Sequence, residues 1–224
     1  MRANDAKTYK SGVSFFEQLF REQSAPYGES PDPFLEAHAG PGGGTRALDA
    51  GGGTGRNGIW LARNGYAVDL IDASPSAVQR ANETAAAEDV PLAARVADLR
   101  GWRPEPEVYD LVVCAITLHA FKSHRAAAVA AALRDGVAPG GRFFVSLHLA
   151  GGAEQQQRER EGQTQIEPGT YFYAGHHKRL FSLEEAHELL GWPTEFEGVS
   201  SGERCPRADC PFTHDVFRGL ARRL

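Results

Sequence analysis

Cysteine is scarce in this chain: Cys114, Cys205 and Cys210 are the three in 224 residues, too few for a disulfide framework. Excess positive charge is also missing. Lys and Arg number 24 against 29 Asp and Glu, giving a net charge of −5 and a pI near 5.9. That excludes the basic face a dedicated nucleic-acid binder needs. No apolar run reaches the roughly eighteen residues of a membrane-spanning helix, and the opening MRANDAKTYK is too polar for a secretory signal. The expectation is a cytoplasmic protein with neither a membrane nor a nucleic-acid partner. No internal repeat is apparent, and the alanine-rich tract 126–132 reads as helix. What remains is 42% hydrophobic content, enough for one α/β domain with a sizeable core.

The chain is organised around residues 47–74, ALDAGGGTGRNGIWLARNGYAVDLIDAS. A short apolar run ends in Asp49. Gly51, Gly52, Gly53 and Gly55 follow, then apolar positions at helical spacing, then a second apolar run ending in Asp72. This is strand, glycine turn, helix, strand, with a carboxylate at the end of each strand. Glycines let the backbone turn tightly and bring N–H groups against a ligand, at the positive end of the following helix. An acid about twenty residues on suits a ribose diol. The unit is built for a nucleoside-containing ligand.

Two frames compete for the identity of that ligand. Gly53-x-Gly55-x-x-Gly58 matches a dinucleotide fingerprint. The longer frame is Asp49-x-Gly51-x-Gly53-x-Gly55. An acid heading the loop sets like charges together if a pyrophosphate binds, whereas it suits the ammonium of an amino-acid moiety.

Elsewhere strands and helices alternate, as in a doubly wound sheet. Residues 7–23 have helical spacing and predict a helix that packs on the domain or covers the ligand, with Tyr9 within reach of the site. Residues 24–44, rich in Pro and Gly, read as a connector, so the chain divides into a lid and connector at 1–44 and a main domain at 45–224. Ser74–Pro75 predicts a helix start. Strands are expected at 92–96, at 108–117 and at 142–149, with a turn at 138–141. Residues 151–169 read as a loop or short solvated helix. Ser182 and Glu185 form a capping box for a helix ending at Leu190.

The frame D-x-G-x-G-x-G followed by Asp72 resembles the S-adenosylmethionine site of class I methyltransferases. Within them the run Gly55-Arg56-Asn57-Gly58, then Leu61-Ala62 and Asn64-Gly65-Tyr66, is similar to the tellurite-resistance, thiol-methyltransferase-like group. The similarity resumes at Pro139-Gly140-Gly141 and covers about residues 46–224. The resemblance implies an α/β, Rossmann-like, seven-stranded and mostly parallel sheet with its last strand antiparallel. It implies S-adenosylmethionine as cofactor, held by Asp49, Gly51, Gly52, Gly53, Gly55, Asn57, Asp72, Ala73, Asp98, Leu99 and Ala115, with Tyr9 from the lid. It also implies methyl transfer to a small-molecule acceptor through an O, N or S nucleophile. The alternative is a cofactor-binding protein that has lost methyl transfer. The group's His-Arg pair before the final strand falls on Glu203–Arg204, so the arginine is present and the histidine is not. That substitution disfavours a soft oxyanion and favours an organic acceptor.

Methyl transfer needs a general base only for an alcohol or a protonated amine. His119, after the fourth strand, is the expected base, with Arg204 assisting. His148 reads as structural or pocket-lining, and Cys114 as a buried thiol. Cys205-x-x-x-x-Cys210 with His214 has loose spacing for zinc and shows no evident fourth ligand, so no metal is expected. Tyr171 and Tyr173 are expected to flank the acceptor or to pack beneath the last strands.

Overall fold

Why one segment becomes the central strand is plain from its side chains. Along Leu111-Val112-Val113-Cys114 every residue is fully buried, which requires cover on both faces. Val112 and Cys114 face one apolar cluster with Leu133, Phe143 and Leu189, while Leu111 and Val113 face another with Leu35, Leu61 and Phe144. The alternation is the two-residue period of a strand, and the two clusters are the two faces of the sheet.

The computed structural model describes residues 12–173, 175–207 and 210–224, with backbone alone at 12–14 and 173. Tyr9 lies outside the described residues. In chain order the elements are α1 (Gly12–Glu22), α2 (Pro33–His38), β1 (Arg46–Ala50), α3 (Arg56–Arg63), β2 (Ala67–Asp72), α4 (Pro75–Glu88), β3 (Leu92–Val96) and β4 (Tyr109–Ala115). A short 3-10 turn at Leu118–Ala120 leads to α5 (Ser123–Asp135), β5 (Val137–His148), α6 (Ala153–Arg160), β6 (Gln165–Glu167), β7 (Thr170–Tyr173) and β8 (His176–Arg179). The chain closes with α7 (Leu183–Leu190), β9 (Thr194–Arg204) and β10 (Thr213–Arg222).

The main sheet has seven strands in the order β3-β2-β1-β4-β5-β10-β9. Strands β1 to β5 pair in parallel, and β10 runs antiparallel to both neighbours. The expected sheet is therefore the observed one. Strand β1 pairs with β2 on one side and β4 on the other, which makes its C-terminal end the topological switch point where open α/β sheets bind ligands. The capping signals also act as read: Ser74 accepts from Ala77 N–H with Pro75 in the first turn, and Ser182 and Glu185 complete their reciprocal box.

Two local expectations are corrected. The turn at 138–141 is absorbed into a twelve-residue β5, whose start pairs Val137 with Tyr109 across a register shift. Residues 151–169 do hold a short, largely solvated helix, α6, but its Glu154 and Arg158 are 2% and 3% exposed and bond each other at 2.7 Å. The polar stretch after α6 forms a second sheet, β6-β7-β8, because Arg179, Lys178 and Thr170 find buried partners there.

Helix α1 is docked on α4 by both ends. Ser74 and Ser76 hydroxyls donate to the Glu17 carboxylate at 2.6 and 2.7 Å, placing an acid at the positive end of α4. The Arg80 guanidinium donates to the Phe20 and Gln23 carbonyls, which sit at the negative end of α1. Among the described residues no helix is long and apolar enough to cross a membrane.

Candidate active site

The C-terminal ends of β1, β2 and β4 open into a cavity of about 1250 Å³. That exceeds the roughly 300–1,000 Å³ of an ordinary small-molecule site, so it has room for two ligands side by side. One half is made by the glycine turn. Gly51 and Gly53 have φ of +71° and +57°, backbone that side chains rarely adopt. A Cβ at Gly51 would run into Thr117, and one at Gly53 would lie 3.0 Å from the Phe20 ring. The turn is bare so that its backbone forms the wall.

Asp72 ends β2 at this wall. Its carboxylate accepts from Gly53 N–H at 2.9 Å and Ser74 N–H at 2.8 Å, and burial pushes its pKa up despite those bonds. Ala73, Asp98, Leu99 and Ala115 line the same half. Asp98 already grips Arg100, whose Nε lies 2.8 Å from its Oδ2, and this pairing holds its pKa below the usual carboxylate range. Ile116, also on the wall, has φ +52°, a strained backbone for a β-branched residue. The turn aims Thr117, whose hydroxyl donates to Gly51 C=O at 3.2 Å, tying β4 to the glycine loop.

The structure brings together Gly51, Gly52, Gly53, Asn57, Asp72, Ala73, Asp98, Leu99, Ala115 and Arg204 on one cavity. It separates three others from it. Asp49 is 1% exposed, and its carboxylate accepts from Gly58 N–H at 2.9 Å beneath the turn. Burial raises its pKa to about 7. It anchors the loop and does not line the cavity. Gly55 caps α3 with φ +90° and packs toward Ile59 and Ala81. His119 lies behind the wall at 7% exposure, stacked 5.5 Å from His148, and burial together with the nearby Lys178 charge depresses its pKa. The histidines that do line the cavity include His148 and His214. Asn57 has a second duty, since its Oδ1 accepts from Asp32 N–H at 2.8 Å.

The other half of the cavity carries Phe16, Phe121, Phe172, His148, His214 and Arg204. Tyr171 is fully buried under the Arg158 guanidinium, so the packing alternative holds for it; the side chain of Tyr173 lies outside the described residues. Phe172 is the aromatic that reaches the cavity. His214 sits across the ladder from Glu203, so an imidazole does arrive beside Arg204, from β10 instead of β9. Its position came from strand register, which sequence spacing does not show.

Residues 47–141 match the family model described as a methyltransferase domain. The chain has a class I methyltransferase fold. A solved structure concerned with conversion of a disulfide bond into a thioacetal group during echinomycin biosynthesis is 28% identical, covering 94% of this chain and 92% of its own at a TM-score of 0.66. The 1,6-didemethyltoxoflavin-N1-methyltransferase of Burkholderia thailandensis, solved with 1,6-didemethyltoxoflavin and S-adenosylhomocysteine, is 18% identical over 100% of this chain and 93% of its own, TM-score 0.64. TehB of Haemophilus influenzae is 17% identical over 86% of this chain and 60% of its own, TM-score 0.62. No curated relative matches the sequence. In the methyltransferase fold the switch-point crevice and the Gly51–Gly53 turn coincide.

Proposed function

We propose that this chain transfers the methyl group of S-adenosylmethionine to a small organic acceptor. The observation that carries the reading is the Asp72 carboxylate, fixed by two backbone N–H groups beside the bare Gly51–Gly53 turn and facing the cavity. The donor set fits the cofactor. Asp72 would hold the ribose hydroxyls with its remaining lone pairs, Asp98 and Leu99 would hold the adenine, and the turn's backbone would take the amino-acid portion. When bound, the cofactor supplies an already activated methyl group, so the protein's work is alignment and, where the acceptor requires it, proton removal.

His148 suits proton removal better than His119. It lines the cavity, which His119 does not; burial and the adjacent Lys178 charge hold the pKa of His148 well below its ordinary value, as they do that of His119, so position alone separates the two. Arg204 marks the acceptor side of the mouth. We assign residues 1–44 the role of lid and connector, since Phe16 and Phe20 close one side of the cavity. The aromatic lining suits an organic acceptor, and the 28% identical relative concerned with disulfide chemistry favours a sulfur nucleophile over oxygen or nitrogen.

The test has two stages. Calorimetry should show S-adenosylhomocysteine binding and little NAD binding. Release of S-adenosylhomocysteine should then follow with a thiol or disulfide acceptor in a panel that also holds phenols, amines and tellurite. Tight NAD binding with none of the nucleoside thioether would reject the cofactor, and tellurite turnover equal to the best organic acceptor would reject the acceptor class.

A further inference from the structure

Two elements that the sheet brings together carry soft donor atoms at the cavity rim. Cys205 follows β9, and Cys210 and His214 flank the start of β10. The two sulfurs and an imidazole nitrogen all lie within 4.8 Å of one another. Both cysteines are free thiols, half-buried. Cys210 Sγ is 3.8 Å from His214 Nε2. A tetrahedral zinc with sulfur at about 2.3 Å and nitrogen at about 2.0–2.1 Å sets those two ligand atoms roughly 3.5–3.6 Å apart, so the observed separation needs almost no adjustment.

The imidazole is held in advance. His214 is 5% exposed, stacked at 3.9 Å on His148, and its Nδ1 is 2.7 Å from Glu154 Oε2. A carboxylate on Nδ1 fixes that nitrogen as the donor and leaves the Nε2 lone pair aimed at the sulfurs, the outer arrangement that zinc-bound histidines use. Glu154 is in turn fixed by Arg158 at 2.7 Å and Lys178 at 3.7 Å. A second group, His148 with Glu154 and His214, also lies within 4.8 Å. Its carboxylate already serves two cations, and Lys178 sits on His148 Nδ1, so a metal ion there would meet a like charge. At the sulfur pair, two thiolates neutralise a divalent cation.

We propose that Cys205, Cys210 and His214 bind one zinc ion, with Glu154 as the outer carboxylate behind His214. Cys205 and His214 both line the cavity, so the fourth position opens on its acceptor half. Three protein ligands and one open position is the pattern of a catalytic rather than a closed structural zinc. The sequence shows no fourth ligand, and the fold sets two of the three donors on the cavity wall, where a solvent molecule or the acceptor would complete the coordination.

The test is metal content and spectroscopy on the full-length chain, independent of methyl transfer. The protein purified with zinc present should hold about one zinc per chain. After chelator treatment, cobalt(II) should rebind with the thiolate charge-transfer bands of a tetrahedral site. Cys205→Ser, Cys210→Ser and His214→Gln should each lose stoichiometric metal with an unchanged far-ultraviolet circular dichroism spectrum. Glu154→Gln should keep it with affinity reduced about 10–100-fold. Zinc retained by both cysteine variants, or lost only in Glu154→Gln, would overturn the assignment, as would a metal-free wild type after reconstitution.

Discussion

Asp72 and Asp49 show how two acids in one motif divide the work. Asp72 is desolvated yet faces the cavity, so its free lone pairs are the strongest acceptors available to a diol. Asp72→Ala should weaken S-adenosylhomocysteine binding by about 1.5–3 kcal/mol, roughly 10–150-fold. An unchanged dissociation constant in a folded variant would remove Asp72 from the site. Asp49, beneath the turn, has its carboxyl raised from 3.8 to about 7 by burial. Its contribution to stability is fully present below the unfolded value and is lost as pH rises through about 7. Asp49→Asn removes that titration. Its unfolding free energy relative to wild type should therefore rise between pH 4 and 8, by up to about 4 kcal/mol. Urea melts of the two proteins that run parallel across this range would show that Asp49 does not titrate as described.

At the scale of elements, strand β7 separates stability from specificity in adjacent residues. Tyr171 is fully buried while Phe172 is 56% exposed at the cavity, because successive strand residues face opposite ways. Tyr171→Ala should cost about 3–5 kcal/mol of stability, visible as a lower melting temperature. Phe172→Ala should leave stability within about 0.5 kcal/mol and raise the KM for the acceptor with cofactor affinity intact. If Phe172→Ala changes melting but not KM, β7 belongs to the scaffold and not to the acceptor wall.

Across the whole molecule, Arg218 joins the last strand to the connector and the glycine loop. Its Nε donates to both oxygens of Asp32 at 2.9 Å, and its terminal nitrogens reach Glu203 at 2.6 and 2.8 Å. Asp32 is almost fully buried, and its N–H bonds Asn57 at the start of α3. Removing the guanidinium leaves a buried charge without its partner. Arg218→Ala should thus cost about 3–5 kcal/mol, and Arg218→Lys should recover only part of it, because an ammonium cannot span the same fork. Denaturant titration of both variants measures this; a loss under about 1 kcal/mol for Arg218→Ala would mean that Asp32 is solvated or paired elsewhere.

What the sequence determined by itself is whatever local chemistry dictates. The glycine turn between two acid-ended strands, the Ser74–Pro75 start, the Ser182–Glu185 box and the doubly apolar β4 all express short-range steric or hydrogen-bonding rules, and all appear where read. The parallel order of the first five strands follows from their alternation with helices. Tertiary structure decided which side of a wall a residue occupies. Asp49 and Asp72 share one sequence context, yet one faces down to Gly58 N–H and the other faces the cavity. His119 fell behind the wall because the 3-10 turn after β4 rotates it toward His148. The polar stretch 151–169 carries no core periodicity, so the burial of Glu154 and Arg158 became visible only where they pair with each other and Glu154 also meets Lys178 of β8. His214 reaches Cys205 and Cys210 through the pairing of β9 with β10, a register that spacing along the chain does not encode, since it is fixed by contacts between strands.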